Sequence, residues 1–176
     1  MKCFVTVGST KFEKLIFTIL TDSVLQKFLN IGIDRLIIQN GNGNIPECLN
    51  CFKKEDEDVW EGEINGIQIE LFRYKDSIRN EMEDSDLIIG HAGAGTCLEV
   101  LELEKPFIAI INNSLMNNHQ LELAKQLEKD EYLICTIPEN LEKSLSENSN
   151  KLFNLNKFPK IDKNIFSNFL NNFLKN

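Results

Sequence analysis

Residues 86–99 read Asp86-Leu87-Ile88-Ile89-Gly90-His91-Ala92-Gly93-Ala94-Gly95-Thr96-Cys97-Leu98-Glu99. Leu87-Ile88-Ile89 has the character of a buried strand, residues 91–95 that of a turn, and a helix is expected from about Thr96. A strand that ends in glycines and feeds a helix leaves several backbone N–H groups unpaired at one point. The helix dipole adds partial positive charge there, so the point suits a phosphate.

Working outward, Lys2–Val7 is short, apolar and β-branched and ends at Gly8-Ser9-Thr10, a strand followed by a tight loop. Phe12, Leu15, Ile16, Ile19 and Leu20 repeat at helical spacing, and Thr21-Asp22-Ser23 interrupts or recaps that helix before Val24, Leu25, Phe28 and Leu29. Further strands are expected at 34–39, 67–72, 106–111 and 132–137. Helices are expected at 78–84, capped by Asp76 or Ser77, at 118–129, and at 139–148 behind Pro138. Residues 148–159 read as a polar linker, and 161–174 as a strongly amphipathic helix. Strand and helix alternate with short polar links. This is the pattern of an α/β fold, a mainly parallel sheet with helices on both faces. Ligands of such folds bind beyond the carboxyl ends of the strands, where the loops 8–10, 40–44, 73–77, 90–96 and 112–119 are rich in Gly, Asn, Ser or His.

Composition narrows the function. The 176 residues suit one domain, and 42% hydrophobic with 26% charged residues is an ordinary globular balance. A formal net charge of −8 argues against nucleic acid as a partner and against adhesion to an anionic membrane. The N-terminal apolar run is too short for a signal peptide, and no run approaches the roughly 20 residues that span a bilayer. The expectation is a cytoplasmic protein that reaches membranes, if at all, through a partner. Five cysteines, Cys3, Cys48, Cys51, Cys97 and Cys135, fit a reducing compartment. Cys48 and Cys51 have C-x-x-C spacing, but no second pair completes a zinc site. The acidic run 55–63 reads as a solvated loop. Its sharper reading, Asp56-Glu57-Asp58 as a metal site for a nucleotide sugar, lacks a hydrophobic strand to deliver it to a pocket.

Several residues at the strand ends are candidates for ligand contact. Gly8-Ser9-Thr10 offers N–H groups and hydroxyls without a P-loop lysine. His91 is either structural or a ligand contact beside the phosphate turn. Thr96 either caps the helix or bonds a phosphate. Glu99, one turn on, is either its capping-box partner or an acceptor for a ribose diol. Asn117-Asn118-His119-Gln120 opens the next helix, either as caps or as readers of the hydroxyls of a neutral polar ligand such as a sugar.

The run H-A-G-A-G-T-C-L-E at 91–99, followed by L-M-N-N-H-Q-L-E-L-A at 115–124, resembles the donor-binding half of GT-B glycosyltransferases of the family 28 type. Within them it is most similar to the cytosolic subunits of the eukaryotic transferases that add the second GlcNAc to dolichyl-diphosphate-GlcNAc. F-V-T-V-G-S-T-K-F at 4–12, Y-K-D-S-I at 74–78 and E-K-P at 104–106 extend the resemblance over residues 3–137. Gly90 departs from the family's common Ser, and Glu104 from its usual Gly before Lys-Pro.

The resemblance implies a Rossmann-like UDP-sugar-binding domain at 1–150, with 151–176 a linker and C-terminal helix. It places the diphosphate at His91, Gly93, Ala94, Gly95 and Thr96, facing Gly8, Ser9 and Thr10. The ribose falls on Glu99 and the sugar on His119 and Gln120, beside Asn117 and Asn118. The uracil falls on backbone near Tyr74 and Lys75. It implies an inverting transfer from UDP-GlcNAc without metal or other cofactor, with His91 and Thr96 stabilising the leaving group and the general base unassigned. The acceptor would come through a membrane-anchored subunit at the cytosolic face of the endoplasmic reticulum. Ile165, Phe166, Phe169, Leu170 and Phe173 would dock that subunit, against the alternatives of packing on the chain's own domain or lying in the membrane plane. Two rival functions stand beside this one: a non-catalytic nucleotide-sugar-binding or regulatory protein, and a small transferase acting alone.

Overall fold

The apolar runs are the strands of one sheet. The computed structural model describes residues 1–56, 58–113 and 118–160, without the side chains at 55, 56 and 118–120. In chain order the elements are β1 (Lys2–Thr6), α1 (Glu13–Ile19), α2 (Asp22–Asn30), β2 (Arg35–Gln39), β3 (Lys53–Asp56), β4 (Val59–Ile64), β5 (Ile67–Phe72) and α3 (Arg79–Glu83). There follow β6 (Leu87–His91), α4 (Ala94–Glu102), β7 (Phe107–Ile110), α5 (Asn118–Lys129), β8 (Ile134–Thr136), α6 (Leu141–Glu147) and α7 (Ser149–Leu152).

Among the described residues the strands are ordered β3-β4-β5-β2-β1-β6-β7-β8. From β5 to β8 every neighbour is parallel, while β3 and β4 are antiparallel additions at one edge. Starting at β1, the chain builds outward through β2 to β5, then crosses back to place β6 on the other side of β1. The loops after β1 and β6 therefore part at a topological switch point, where doubly wound sheets open a crevice.

Both faces are covered, which is why the central strands read as unbroken apolar runs. Cys3, Val5, Leu36, Ile38, Leu87, Ile89 and Ile108 point into one core with Leu15 and Ile19 of α1, Leu25 and Phe28 of α2 and Leu145 of α6. Phe4, Ile37, Ile88, Phe107 and Ala109 point into the other with Met82 of α3, Val100 of α4 and Ala124 of α5. Each such large side chain contributes about 1.5–3 kcal/mol on burial.

Of the two readings of Thr21-Asp22-Ser23 the interruption holds: Thr21 is extended and separates two helices. Other local expectations are corrected. The acidic run is no loop: Lys53–Asp56 and Val59–Ile64 form a hairpin that continues the sheet, with alternate residues of β4 exposed. Alternating acidic residues belong on the solvated face of an antiparallel hairpin, so the charge that suggested a loop is one face of a strand. Neither Asp76 nor Ser77 is the N-cap of α3, a place taken by Ile78, although Ser77 Oγ accepts a hydrogen bond from the Arg79 N–H at 3.2 Å. The polar stretch 148–159 contains α7, and Leu152 is fully buried. Beyond it Phe158 meets Tyr132 edge-on at 5.2 Å, and the Asn156 N–H donates to the Glu131 carbonyl at 2.9 Å. The expected C-terminal helix, with Ile165, Phe166, Phe169, Leu170 and Phe173, lies outside the described residues.

Candidate functional site

The central strand of the opening stretch runs two residues further than expected. His91 is the last residue of β6 rather than part of the turn, and α4 begins at Ala94 with Gly93 as its N-cap. Strand and helix are therefore joined by Ala92 and Gly93 alone. Such a tight join is possible because glycines surround the imidazole. A Cβ on Gly8 would lie 2.4 Å from His91 Cε1, and one on Gly93 would lie 2.3 Å from Nε2. The ring occupies the space that side chains at 8 and 93 would fill, across the switch point between β1 and β6.

The ring is nine-tenths buried, and its Nδ1 has no hydrogen-bond partner among the described residues. Burial lowers its basicity below the ordinary imidazole range, so His91 is neutral at pH 7. A neutral imidazole carries one donor and one acceptor. A buried nitrogen without a partner is a cost that a ligand can relieve.

Beside it, the first turn of α4 has no capping side chain and no acidic residue. Ala94 and Gly95 are exposed, and a Cβ on Gly95 would meet nothing within 4 Å. The N-terminus of this helix faces open space, and the N–H groups of residues 94–96 have no partner among the described residues. Thr96 sits inside the helix, so the Thr96–Glu99 capping box is excluded. The Thr96 methyl is turned towards Gly90, 3.3 Å from a Cβ placed there. Glu99 is half-buried and has no hydrogen-bond or ion-pair partner among the described residues.

The floor of the site is a row of neighbours across the sheet: Gln39 beside Thr6 beside Gly90. Thr6 and Gln39 are buried polar residues that satisfy each other, the Thr6 hydroxyl donating to Gln39 Oε1. Thr6 Oγ1 in turn accepts from the Gly8 N–H at 3.0 Å. Gly8 has φ +59, the left-handed region that suits glycine. Thr10 closes the same loop, its hydroxyl donating to the Val7 carbonyl at 2.7 Å, which leaves Ser9 exposed at the tip. Thr6 and Gln39 were missed from sequence, since inside apolar strands they carry no signal of their own.

Residues 73–75 form the far wall. The Lys75 ammonium lies 4.3 Å above the Phe72 ring and pairs with Glu81 at 2.6 Å and Glu70 at 3.1 Å. Burial works against its charge, but the hydrogen bonds and charges of Glu81 and Glu70 prevail and hold it above the ordinary lysine range. Its side chain is thus committed to the scaffold. Tyr74 is 49% exposed, and its hydroxyl is 3.2 Å from where a Cβ of Gly41 would stand. Arg73, which drew no attention in the sequence, reaches under the 40–44 loop: its Nη1 donates to the carbonyls of Gly41 and Gly43, each at 3.1 Å.

Asn118, His119 and Gln120 form the first turn of α5, which packs beside α4. Asn117 lies outside the described residues, as does Glu57 of the acidic triplet. No group of three metal-ligating side chains occurs among the described residues. Cys48 and Cys51 are exposed and unbridged.

Residues 2–174 match the glycosyltransferase family 28 C-terminal domain. The chain belongs to this family. Over 139 residues it is 45% identical to the human UDP-N-acetylglucosamine transferase subunit ALG13, covering 77% of this chain and 11% of that protein. The chain thus spans a small part of that relative's length. The NMR solution structure of ALG13 superposes with a TM-score of 0.68 at 26% identity, over 96% of this chain and 94% of that one. MurG of Acinetobacter baumannii matches with a TM-score of 0.59 over 99% of this chain and 50% of its own, at 15% identity, a likeness of fold alone.

This is the fold of the C-terminal domain of GT-B glycosyltransferases. Of the two departures from the family 28 pattern, Gly90 has a local explanation and Glu104 has none. A Cβ at Gly90 would lie 3.0 Å from the Thr6 methyl and 3.3 Å from that of Thr96, so those two methyls occupy the room of a side chain at 90. Glu104 has φ +53, a conformation that favours the glycine usual there.

Proposed function

We propose that this family 28 domain binds UDP-GlcNAc as the donor subunit of an inverting N-acetylglucosaminyltransferase. The acceptor is dolichyl-diphosphate-GlcNAc, which a membrane-anchored partner presents at the cytosolic face of the endoplasmic reticulum. The observation that carries this reading is the uncapped α4 N-terminus beside the buried, unpartnered imidazole of His91. Together they make an anion site at the switch point. The human relative is a UDP-N-acetylglucosamine transferase subunit by name, which supports both the donor and the need for a partner.

In this mechanism the N–H groups of residues 94–96 and the α4 dipole receive the diphosphate, and His91 donates from its neutral ring to a phosphate oxygen. Negative charge grows on the diphosphate as the glycosidic bond breaks, so these fixed dipoles hold the transition state more tightly than the bound donor. No metal is needed for that stabilisation. Thr96 adds a hydroxyl at the same turn. Glu99, half-buried and unpartnered, is placed to accept two hydrogen bonds from the ribose diol. The backbone at Tyr74 and Lys75 faces the base, with Lys75 locked into Glu70 and Glu81. His119 and Gln120 open α5 on the sugar side. The base that deprotonates the acceptor O4 is assigned to the partner.

The test is a transfer assay with the purified chain, with and without the membrane-anchored partner. GlcNAc transfer from UDP-GlcNAc to the lipid-linked acceptor is expected only with both. Failure of the folded pair to transfer overturns the proposal, and turnover by the chain alone overturns the need for a partner.

A further inference from the structure

We propose that Arg73 is a positioning residue for the nucleoside side of the donor site, and that the acidic β3–β4 hairpin serves to hold it there. This rests on the donor reading above. The loop after β2 reads Asn40-Gly41-Asn42-Gly43-Asn44. Gly41 has φ +55, and a Cβ there would stand 3.2 Å from the Tyr74 hydroxyl, 3.3 Å from Val7 Cγ2 and 3.6 Å from the Thr10 carbonyl. The loop thus sits between the Tyr74 wall and the loop that follows β1, and its position sets the gap between them.

Glycine- and asparagine-rich backbone does not hold such a position by itself, because glycine loses more conformational freedom on ordering than any other residue. Here the loop carbonyls turn inward onto two donors. Asn40 Nδ2 donates to the Gly43 carbonyl at 3.1 Å and the Asn44 carbonyl at 3.2 Å. Arg73 Nη1 donates to Gly41 and Gly43, and the Gly41 N–H returns a bond to the Arg73 carbonyl at 3.2 Å.

The guanidinium is itself held from the hairpin. Arg73 Nε pairs with Asp58 at 3.4 Å, and the Arg73 N–H donates to the Asp58 carbonyl at 3.3 Å. Its Cζ lies 5.8 Å from the ring centroid of Trp60, the one tryptophan of the sequence. Asp58 is 63% exposed, so the ion pair alone is weak. What matters is orientation: with Nε facing Asp58 and the ring against Trp60, Nη1 is left aimed at the loop. Lysine, a single point of charge, cannot serve both sides at once. The hairpin thereby acquires a role that its acidic composition did not suggest.

The experiment compares the full chain with Arg73→Ala, Arg73→Lys and Asp58→Asn. Lys143→Ala, which removes an exposed ion pair on α6, is the control. Amide hydrogen exchange at residues 41–44 is measured without ligand, and UDP and inorganic pyrophosphate affinities by calorimetry. For Arg73→Ala the expectation is faster exchange in the loop and UDP binding weaker by about tenfold, the scale of a lost charged hydrogen bond. Pyrophosphate affinity should not change, because α4 holds the diphosphate. Arg73→Lys should fall between Arg73→Ala and the parent chain, and Asp58→Asn should shift UDP in the same direction by a smaller factor.

Unchanged UDP affinity in Arg73→Ala overturns the proposal, as does an equal loss of UDP and pyrophosphate, the mark of general destabilisation. Should Arg73→Ala fail to fold, Asp58→Asn decides: an unaltered ratio of UDP to pyrophosphate affinity overturns the proposal. If the parent chain binds UDP no better than pyrophosphate, the donor reading falls and this proposal with it. Loop exchange is read without ligand, so that failure is distinguishable from a failure of the Arg73 brace.

Discussion

Gly8 and His91 stand so close that a single methyl group on the glycine would lie 2.4 Å from the imidazole Cε1. Gly8 lies in the loop after β1 and His91 ends β6, and they meet only because those strands are neighbours at the switch point. Gly93 closes the ring in from its other side. Gly8→Ala and Gly93→Ala should therefore both displace His91 and weaken UDP binding, at an overpacking cost of about 1–3 kcal/mol. Gly8→Ala should be the worse of the two, since its φ of +59 adds strain that Gly93, at φ −79, does not have. Gly95→Ala makes the contrast. Its side has open space and its backbone is helical, so stability should rise by about 0.5–1 kcal/mol. UDP affinity should nonetheless fall if the diphosphate approaches that turn. Thermal melts paired with UDP titrations check all three, and a Gly95→Ala protein that binds UDP normally would remove the diphosphate from this turn.

Burial keeps His91 neutral in the folded protein, whereas the unfolded chain takes up its proton near the ordinary value of about 6.5. The unfolded state thus binds more protons below that value. The contribution of His91 to stability is complete above about pH 6.5 and is lost as pH falls towards its lowered folded value. His91→Gln should flatten this part of the melting-temperature profile. An unaltered slope in that variant would assign the acid sensitivity to other groups.

In the proposed function Glu99 receives the ribose diol, and among the described residues its side chain has no hydrogen-bond or ion-pair partner to lose. Glu99→Ala should leave the melting temperature within a degree or two of the parent, about the effect of a surface substitution. UDP affinity should drop by about tenfold or more, with inorganic pyrophosphate bound as before. Equal loss for both ligands would move Glu99 from the ribose to the phosphates.

Glu104 has φ +53 and pairs with Lys157 at 2.5 Å. Glu104→Gly and Glu104→Ala both remove the pair, so their difference isolates the backbone. Glycine should be the more stable by about 1 kcal/mol, the reverse of its rank in an ordinary helix. Denaturant melts of the two variants test this, and alanine matching glycine would mean the left-handed turn carries no strain.

Much of the fold is legible in the sequence. The runs at 2–7, 34–39, 87–89 and 106–111 are strands because both faces of a parallel sheet are buried, and a buried strand shows its character residue by residue, whereas 67–72 shows itself by alternation. The bounds of α5 came out as expected, because its apolar positions repeat on one face. The hairpin is hidden because its antiparallel strands have one solvated face, and alternating acids look like a loop. The end of β6 was placed too early because glycine and histidine in a strand mimic a turn.

Local order along the chain determined that a strand, a glycine turn and a helix meet at 86–99, and that the free N–H end of a helix dipole lies there. Those are properties of neighbouring residues and of the backbone dipoles they align. Only the tertiary structure decided that Gly8 makes room for His91, that Thr6 and Gln39 form the floor, and that Arg73 braces the 40–44 loop against Asp58 and Trp60. Each of these joins residues far apart in sequence through the pairing of β1, β2, β4, β5 and β6. Distances of that kind are set by the register of the sheet, and no window along the chain contains them.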